Sequence, residues 1–190
     1  MAQLMRCKPC GYIISEDKLG DTCPACGVPS KVFEPYKDRV SPERRKILDL
    51  DLHPIAVHFP QTLAVFIAQI VLVNLIFPEF KPTEIKSFVQ FMALLLPFAV
   101  VGAFLSGIID GKARFKKLKT TALTRKIIFG SMMIISSGLV TLFSFNMPDG
   151  ALEYNTIQKI IILLSSSVTL AIAIYLAVIG KKLMYAEMPG

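Results

Sequence analysis

Residues 7–27 read CKPCGYIISEDKLGDTCPACG, and all four cysteines of the chain lie inside them. Cys7-x-x-Cys10 and Cys23-x-x-Cys26 are complete pairs, and no cysteine is left over. Two such pairs supply four soft thiolates, a donor set suited to tetrahedral zinc or iron. Gly11 and Gly27 each follow the second cysteine of a pair. A turn at that point wraps backbone N–H groups toward the sulfurs, and glycine tolerates the positive φ this requires. Those donors stabilise negative charge on the centre, so they bear on a redox potential as well as on the fold.

Beyond residue 50 the chain changes character. Of 190 residues, 53% are hydrophobic and only 18% charged, which is more apolar than an ordinary soluble domain. Four runs, near Ile55–Phe77, Phe88–Ile109, Ile127–Phe145 and Ile157–Ile179, are long enough to cross a bilayer core, which needs about 20 apolar residues. The four are read as uncharged. The chain is therefore expected to be an integral membrane protein with a small polar N-terminal domain. No cleavable signal is expected, because the first apolar run starts after the cysteine motif. The net charge of +7 does not point to nucleic acid, because the basic residues crowd the ends of the apolar runs.

That crowding predicts an orientation. Arg39, Arg44, Arg45 and Lys46 precede the first run. Lys112, Arg114, Lys116, Lys117, Lys119, Arg125 and Lys126 separate the second from the third, and Lys181 and Lys182 follow the fourth. The segment NMPDGALEYN between the third and fourth has no Lys or Arg. Four spans of an inner membrane with both termini cytoplasmic satisfy the pattern. The thiols then sit in a reducing compartment, free for metal.

The stretches CKPCGY and CPACGVPSKVFEPY resemble the two knuckles of rubredoxin, and the short spacer is most similar to the rubredoxin-like tail of rubrerythrins. The resemblance covers about residues 5–36, through Cys7, Cys10, Gly11, Tyr12, Cys23, Pro24, Cys26, Gly27, Pro29 and Phe33. It implies one iron held by Cys7, Cys10, Cys23 and Cys26, with one-electron chemistry and no open coordination position; structural zinc is the alternative. The chain has no tryptophan, whereas free rubredoxins usually carry one in the core. The expected core is Tyr12, Ile13, Val28 and Phe33, small enough that metal must supply much of the folding energy. The expected fold is an all-α four-helix transmembrane bundle preceded by a small rubredoxin-like metal-ribbon domain. Its divisions are 1–36 for the metal domain, 37–52 for a linker and 53–190 for the membrane domain. In the linker, Ser41 and Pro42 read as N-cap and first helical position of a short amphipathic helix.

The only histidines, His53 and His58, lie in DLHPIAVHFPQTL. Five residues on a helix turn about 500°, so the two rings point roughly 140° apart. They do not flank one haem while that helix is regular. LHPIAVHFP, LSGIID and the terminal GKKLMY resemble the landmarks of a four-span membrane family with an H-P-x-x-x-H-F-P motif opening span one and a G-x-x-D motif closing span two. The match runs over about residues 52–186, through His53, Pro54, His58, Phe59, Pro60, Gly107 and Asp110. Further histidines common in that family are missing here, which weakens a bis-histidine haem within one chain.

His53, His58, Asp110, Arg125 and Tyr185 all map to the cytoplasmic ends of their spans. A convergent site there could take a quinone headgroup, since quinone reduction needs a one-electron carrier and titratable groups. His53, His58 and Asp110 are the candidates for it. Haem b shared between chains is a second possibility, and a zinc-ribbon interaction module on a membrane anchor a third. Expected partners are a soluble cytoplasmic redox protein, the lipid bilayer, and a second copy or the subunits of a membrane oxidoreductase. Gln69 is a weaker candidate for lining a cavity. Small and hydroxyl residues in the spans, among them Gly107, Ser136, Ser165 and Thr169, are read as helix-packing contacts. No P-loop, dinucleotide fingerprint, HExxH or nucleophile elbow occurs.

Overall fold

The structure, a computed structural model, describes residues 3–37, 40–115, 120–146 and 153–184, with side chains described up to residue 181. Arg39, Lys116, Lys117, Lys119 and Tyr185, and most of NMPDGALEYN, lie outside the described residues. The chain forms two compact units, Met1–Arg45 and Lys46–Gly190.

The first unit is a small antiparallel sheet in the order β2-β1-β3, from β1 (Leu4–Cys7), β2 (Ile13–Ser15) and β3 (Phe33–Tyr36). Met5 lies opposite Ile14 on one side and Pro35 on the other, and Cys7 lies opposite Phe33. The core is Cys7, Cys23 and Phe33, with Met5, Ile14, Leu19, Val28 and Val32 packed against it. Two expected members are displaced: Tyr12 is 39% and Ile13 41% exposed. Alternate residues of a strand face opposite sides, so the sheet that buries Ile14 beside Met5 must turn Ile13 outward. The expectation had the β2 face wrong by one residue.

The second unit is a helix bundle. Helix α1 (Pro42–Leu48) straddles the division between the units and starts at the expected proline. It is followed by α2 (Leu52–Ile76), α3 (Pro82–Phe115), α4 (Thr121–Phe145) and α5 (Thr156–Met184). Each of these four is long and apolar enough to cross a membrane. Helix α2 packs on α3, α3 on α4, α4 on α5, and α5 closes back on α2. Short links between consecutive helices make neighbours antiparallel, so the chain runs up and down around the bundle.

The bundle is apolar outside as well as inside, around a core that includes Leu63, Ile67, Leu96 and Ile162. Large apolar side chains such as Phe98, Ile135 and Leu164 are exposed, as a hydrocarbon solvent requires. Ser136, Ser137, Ser144, Ser166 and Thr169 are buried. Two contacts join helices: the Ser136 and Thr169 hydroxyls lie 2.7 Å apart, and Gln90 Nε2 donates to the backbone O of Ser144 at 2.9 Å, whereas the hydroxyls of Ser137, Ser144 and Ser166 donate within their own helices. One bond repairs a local defect. Pro97 has no N–H for the carbonyl of Ala93 four residues earlier, and Thr141 of α4 donates its hydroxyl to that carbonyl instead.

The fourth run, expected to be uncharged, contains Lys159. Lys159 lies in the first turn of α5, buried, with Nζ 3.5 Å from Asn74 O near the C-terminus of α2. A cation is stabilised by the unsatisfied carbonyls at a helix C-terminus, which offsets its burial. The start of α5 is fixed by a reciprocal cap. Asn155 Oδ1 accepts from Gln158 N, and Asn155 N donates to Gln158 Oε1.

Candidate metal centre and the cavity of the helix bundle

The two cysteine pairs are folded by the same local device. Cys7 N donates to Tyr12 O and Gly11 N to Cys7 O, both at 2.8 Å. In the second pair Cys23 N donates to Val28 O at 2.8 Å and Gly27 N to Cys23 O at 2.9 Å. Gly11 has φ +74° and Gly27 φ +72°, and a Cβ on either would meet nothing within 4 Å. Backbone conformation, not space, therefore demands glycine at both positions.

The four sulfurs lie within 4.8 Å of one another. Cys7 and Cys26 Sγ are 3.7 Å apart, as are Cys10 and Cys23 Sγ. A tetrahedral ion with metal–sulfur bonds of about 2.3 Å separates its ligand atoms by about 3.8 Å. A disulfide would require about 2.05 Å. The donor set, the count and the spacing thus fit one metal ion held by Cys7, Cys10, Cys23 and Cys26.

The electrostatics of the four thiols differ. Burial pushes Cys7 up to about 12. At Cys23 burial acts in the same direction, but the N–H groups of Cys26 and Ala25 outweigh it and bring the thiol down to about 7. Knuckle amides aimed at sulfur are the donors that would stabilise an anionic tetrathiolate. Cys7 and Cys23 are buried, whereas Cys26 is exposed.

Residues 6–34 match the family described as Rubrerythrin, rubredoxin-like domain. The matched span contains both knuckles and all four ligand cysteines, so the rubredoxin-like domain and the tetrathiolate site coincide. With four membrane-capable helices behind this domain, the chain is a membrane-anchored metal protein. No curated protein and no solved structure matches the chain.

The bundle contains a second candidate site, a cavity of about 360 Å³ to which all four long helices contribute. His53, His58 and Asp110, the residues selected from sequence, all line it. Arg125 and Gln69 do not, and both are exposed. Sequence reading missed Gln61 as a lining residue, and used Arg114, Lys126 and Lys181 only to orient the chain. Lys126 carried a usable signal: it shares one helical stripe with Leu123, Gly130 and Met133, all of which line the cavity.

His53 is held in a defined way. Its Nδ1 lies 3.2 Å from Ala103 O and 3.3 Å from Ser106 Oγ. A carbonyl only accepts, so Nδ1 carries the proton and the neutral ring keeps its lone pair on Nε2. Gly107 makes this placement possible: a Cβ there would lie 2.9 Å from His53 Cε1. The histidine and the glycine of the two sequence motifs are thus one packing unit. Asp110 pairs with Arg114 one turn on, at 3.5 Å. Gly130 plays a similar part for Phe104, whose ring a Cβ would approach to 2.6 Å.

Proposed function

We propose that this chain is a membrane-anchored one-electron carrier, with the rubredoxin-like domain as its redox centre and the bundle cavity as the site of a membrane acceptor. The observation that carries the reading is the cage: four thiolates at tetrahedral spacing, lined by backbone amides, inside a rubredoxin-like domain. Iron in this cage would supply an Fe(III)/Fe(II) couple with no coordination position left for a substrate. The protein's own part is to hold the four sulfurs, to place amides against them, and to leave Cys26 at the surface, where a soluble redox partner can approach.

In the cavity, His53 offers Nε2 as a proton acceptor in its neutral form, and His58 and Asp110 are further titratable groups. Such groups suit an acceptor that takes up protons with electrons, and a quinone has that chemistry. The distribution of Lys and Arg supports termini on the cytoplasmic side of an inner membrane.

The test is an optical spectrum of the detergent-purified protein from iron-replete cells, oxidised and then dithionite-reduced. Broad thiolate-to-iron bands that bleach on reduction are expected. A colourless protein containing zinc would overturn the reading and leave an anchored interaction module; a sharp Soret band would make haem b the acceptor. His58→Ala is then expected to leave the visible bands intact and slow reoxidation by quinone-containing membranes. An unchanged reoxidation rate would remove the acceptor role from this cavity.

A further inference from the structure

The cavity has a polarity that a neutral acceptor leaves unexplained. Because neighbouring helices are antiparallel, each contributes a polar residue at the same end: His53 from α2, Arg114 from α3, Lys126 from α4 and Lys181 from α5. On α3, α4 and α5 the lining residues farther along are apolar, Val100, Met133 and Ala173, whereas α2 adds His58 and Gln61 on either side of Pro60. From Leu123 to Met133 along α4 is about 15 Å at the α-helical rise. The cavity is therefore a slot with a charged mouth and a hydrocarbon floor.

The mouth is also unbalanced. Among the described residues, Arg114, Lys126 and Lys181 face one carboxylate, Asp110, which pairs with Arg114 and is also near enough to act on Lys126. Lys126 is half-buried and makes no hydrogen bond or ion pair with any described residue. Its ammonium carries three N–H donors at the cavity wall, where an anion would be held by charge-assisted hydrogen bonds. Arg125 shows that this is not the ordinary placement of a basic residue at a membrane edge. One position earlier on the same helix it is exposed, lines no part of the cavity, and is free to reach headgroups and water.

We propose that the cavity binds a single-chain acidic amphiphile, with its anionic head on Lys126 at the mouth and its hydrocarbon chain along Met133, Val100 and Ala173. The head is a carboxylate or a phosphate, the two groups that accept several hydrogen bonds and carry charge. The volume, near the lower end of the range for small-molecule sites, suits one chain rather than two. The binding needs no metal in the cage and no electron transfer, so it stands or falls apart from the function proposed above. If that function also holds, the acid competes with a neutral acceptor for the slot.

The test is equilibrium binding of radiolabelled hexadecanoate to the full-length protein in detergent, with hexadecanol and hexadecyl phosphate as parallel probes. Hexadecanoate is expected to saturate at one per chain and hexadecanol to bind far more weakly. Lys126→Gln should weaken the acid about tenfold or more, the loss expected for a charged hydrogen bond. Lys126→Arg and Arg125→Gln should leave it near wild type, and thermal unfolding of each variant checks that the bundle is intact. Binding of the phosphate but not the carboxylate supports the same site with a phospholipid-type head. Equal binding of the alcohol, an equal loss in Arg125→Gln, or no binding of either acid overturns the proposal.

Discussion

The two units of this protein divide polar and apolar groups between inside and outside in different ways. In the metal domain the fully enclosed side chains are two cysteines and a phenylalanine, and aromatic and aliphatic neighbours such as Tyr12 and Ile13 lie at the surface. In the bundle the outside is phenylalanine, leucine and isoleucine as well, and the aliphatic core from Leu63 to Ala173 has serines, a threonine, Asn74 and Lys159 buried with it. The contrast follows from solvent. Water drives apolar groups inward, but a unit this small has too few of them, and a metal ion must supply the difference. Hydrocarbon exerts no such drive between helices, so packing and interhelical hydrogen bonds hold the bundle, and polar groups go where partners are.

Removing the metal should have the largest effect, and on one unit only. Stripping the ion, or replacing Cys23 by Ser, is expected to unfold residues 3–37 and leave the bundle helical. Loss of protease resistance in the N-terminal unit, with far-UV circular dichroism little changed, checks this. The same step has a defined pH dependence. Cys7, pushed up to about 12 by burial, must lose its proton to bind metal. Protons therefore compete with the ion, and affinity falls as pH is lowered; metal release to a chelator should be faster at acid than at neutral pH.

A smaller effect is expected at Gly107. Its Cβ would come within 2.9 Å of His53, so Gly107→Ala should destabilise the bundle by about 1–3 kcal/mol, as overpacking does. Gly102→Ala is the control on the same helix, since a Cβ there meets nothing within 4 Å. Thermal unfolding in detergent should separate the two; equal behaviour would show that His53 is not held as described. The smallest effect belongs to the bundle's polar contacts. A double-mutant cycle of Ser136→Ala and Thr169→Val should give a coupling of about 0.6 kcal/mol, and no more than about 1.7. A much larger value would mean that hydroxyl pairs, rather than packing, carry the bundle.

The sequence alone determined the cage and the spans. A complete pair of C-x-x-C motifs with glycine after each is a local signal, because turn geometry and ligand spacing are set within a few residues. Long apolar runs are equally local, because length and composition are all a bilayer core demands. The convergence of His53, His58 and Asp110 followed from topology, since antiparallel spans bring alternate ends together.

Which faces those elements use depends on the packing of distant segments. That packing turned Ile14 inward instead of Ile13, and put Lys126 in the cavity instead of Arg125. It gave Thr141 to the carbonyl orphaned by Pro97, and seated His53 against Gly107. The physical reason is the solvent again. In water an amphipathic stripe marks the buried face of a helix, but in hydrocarbon the outward face is apolar too, so the period that would name the inner residues is nearly erased.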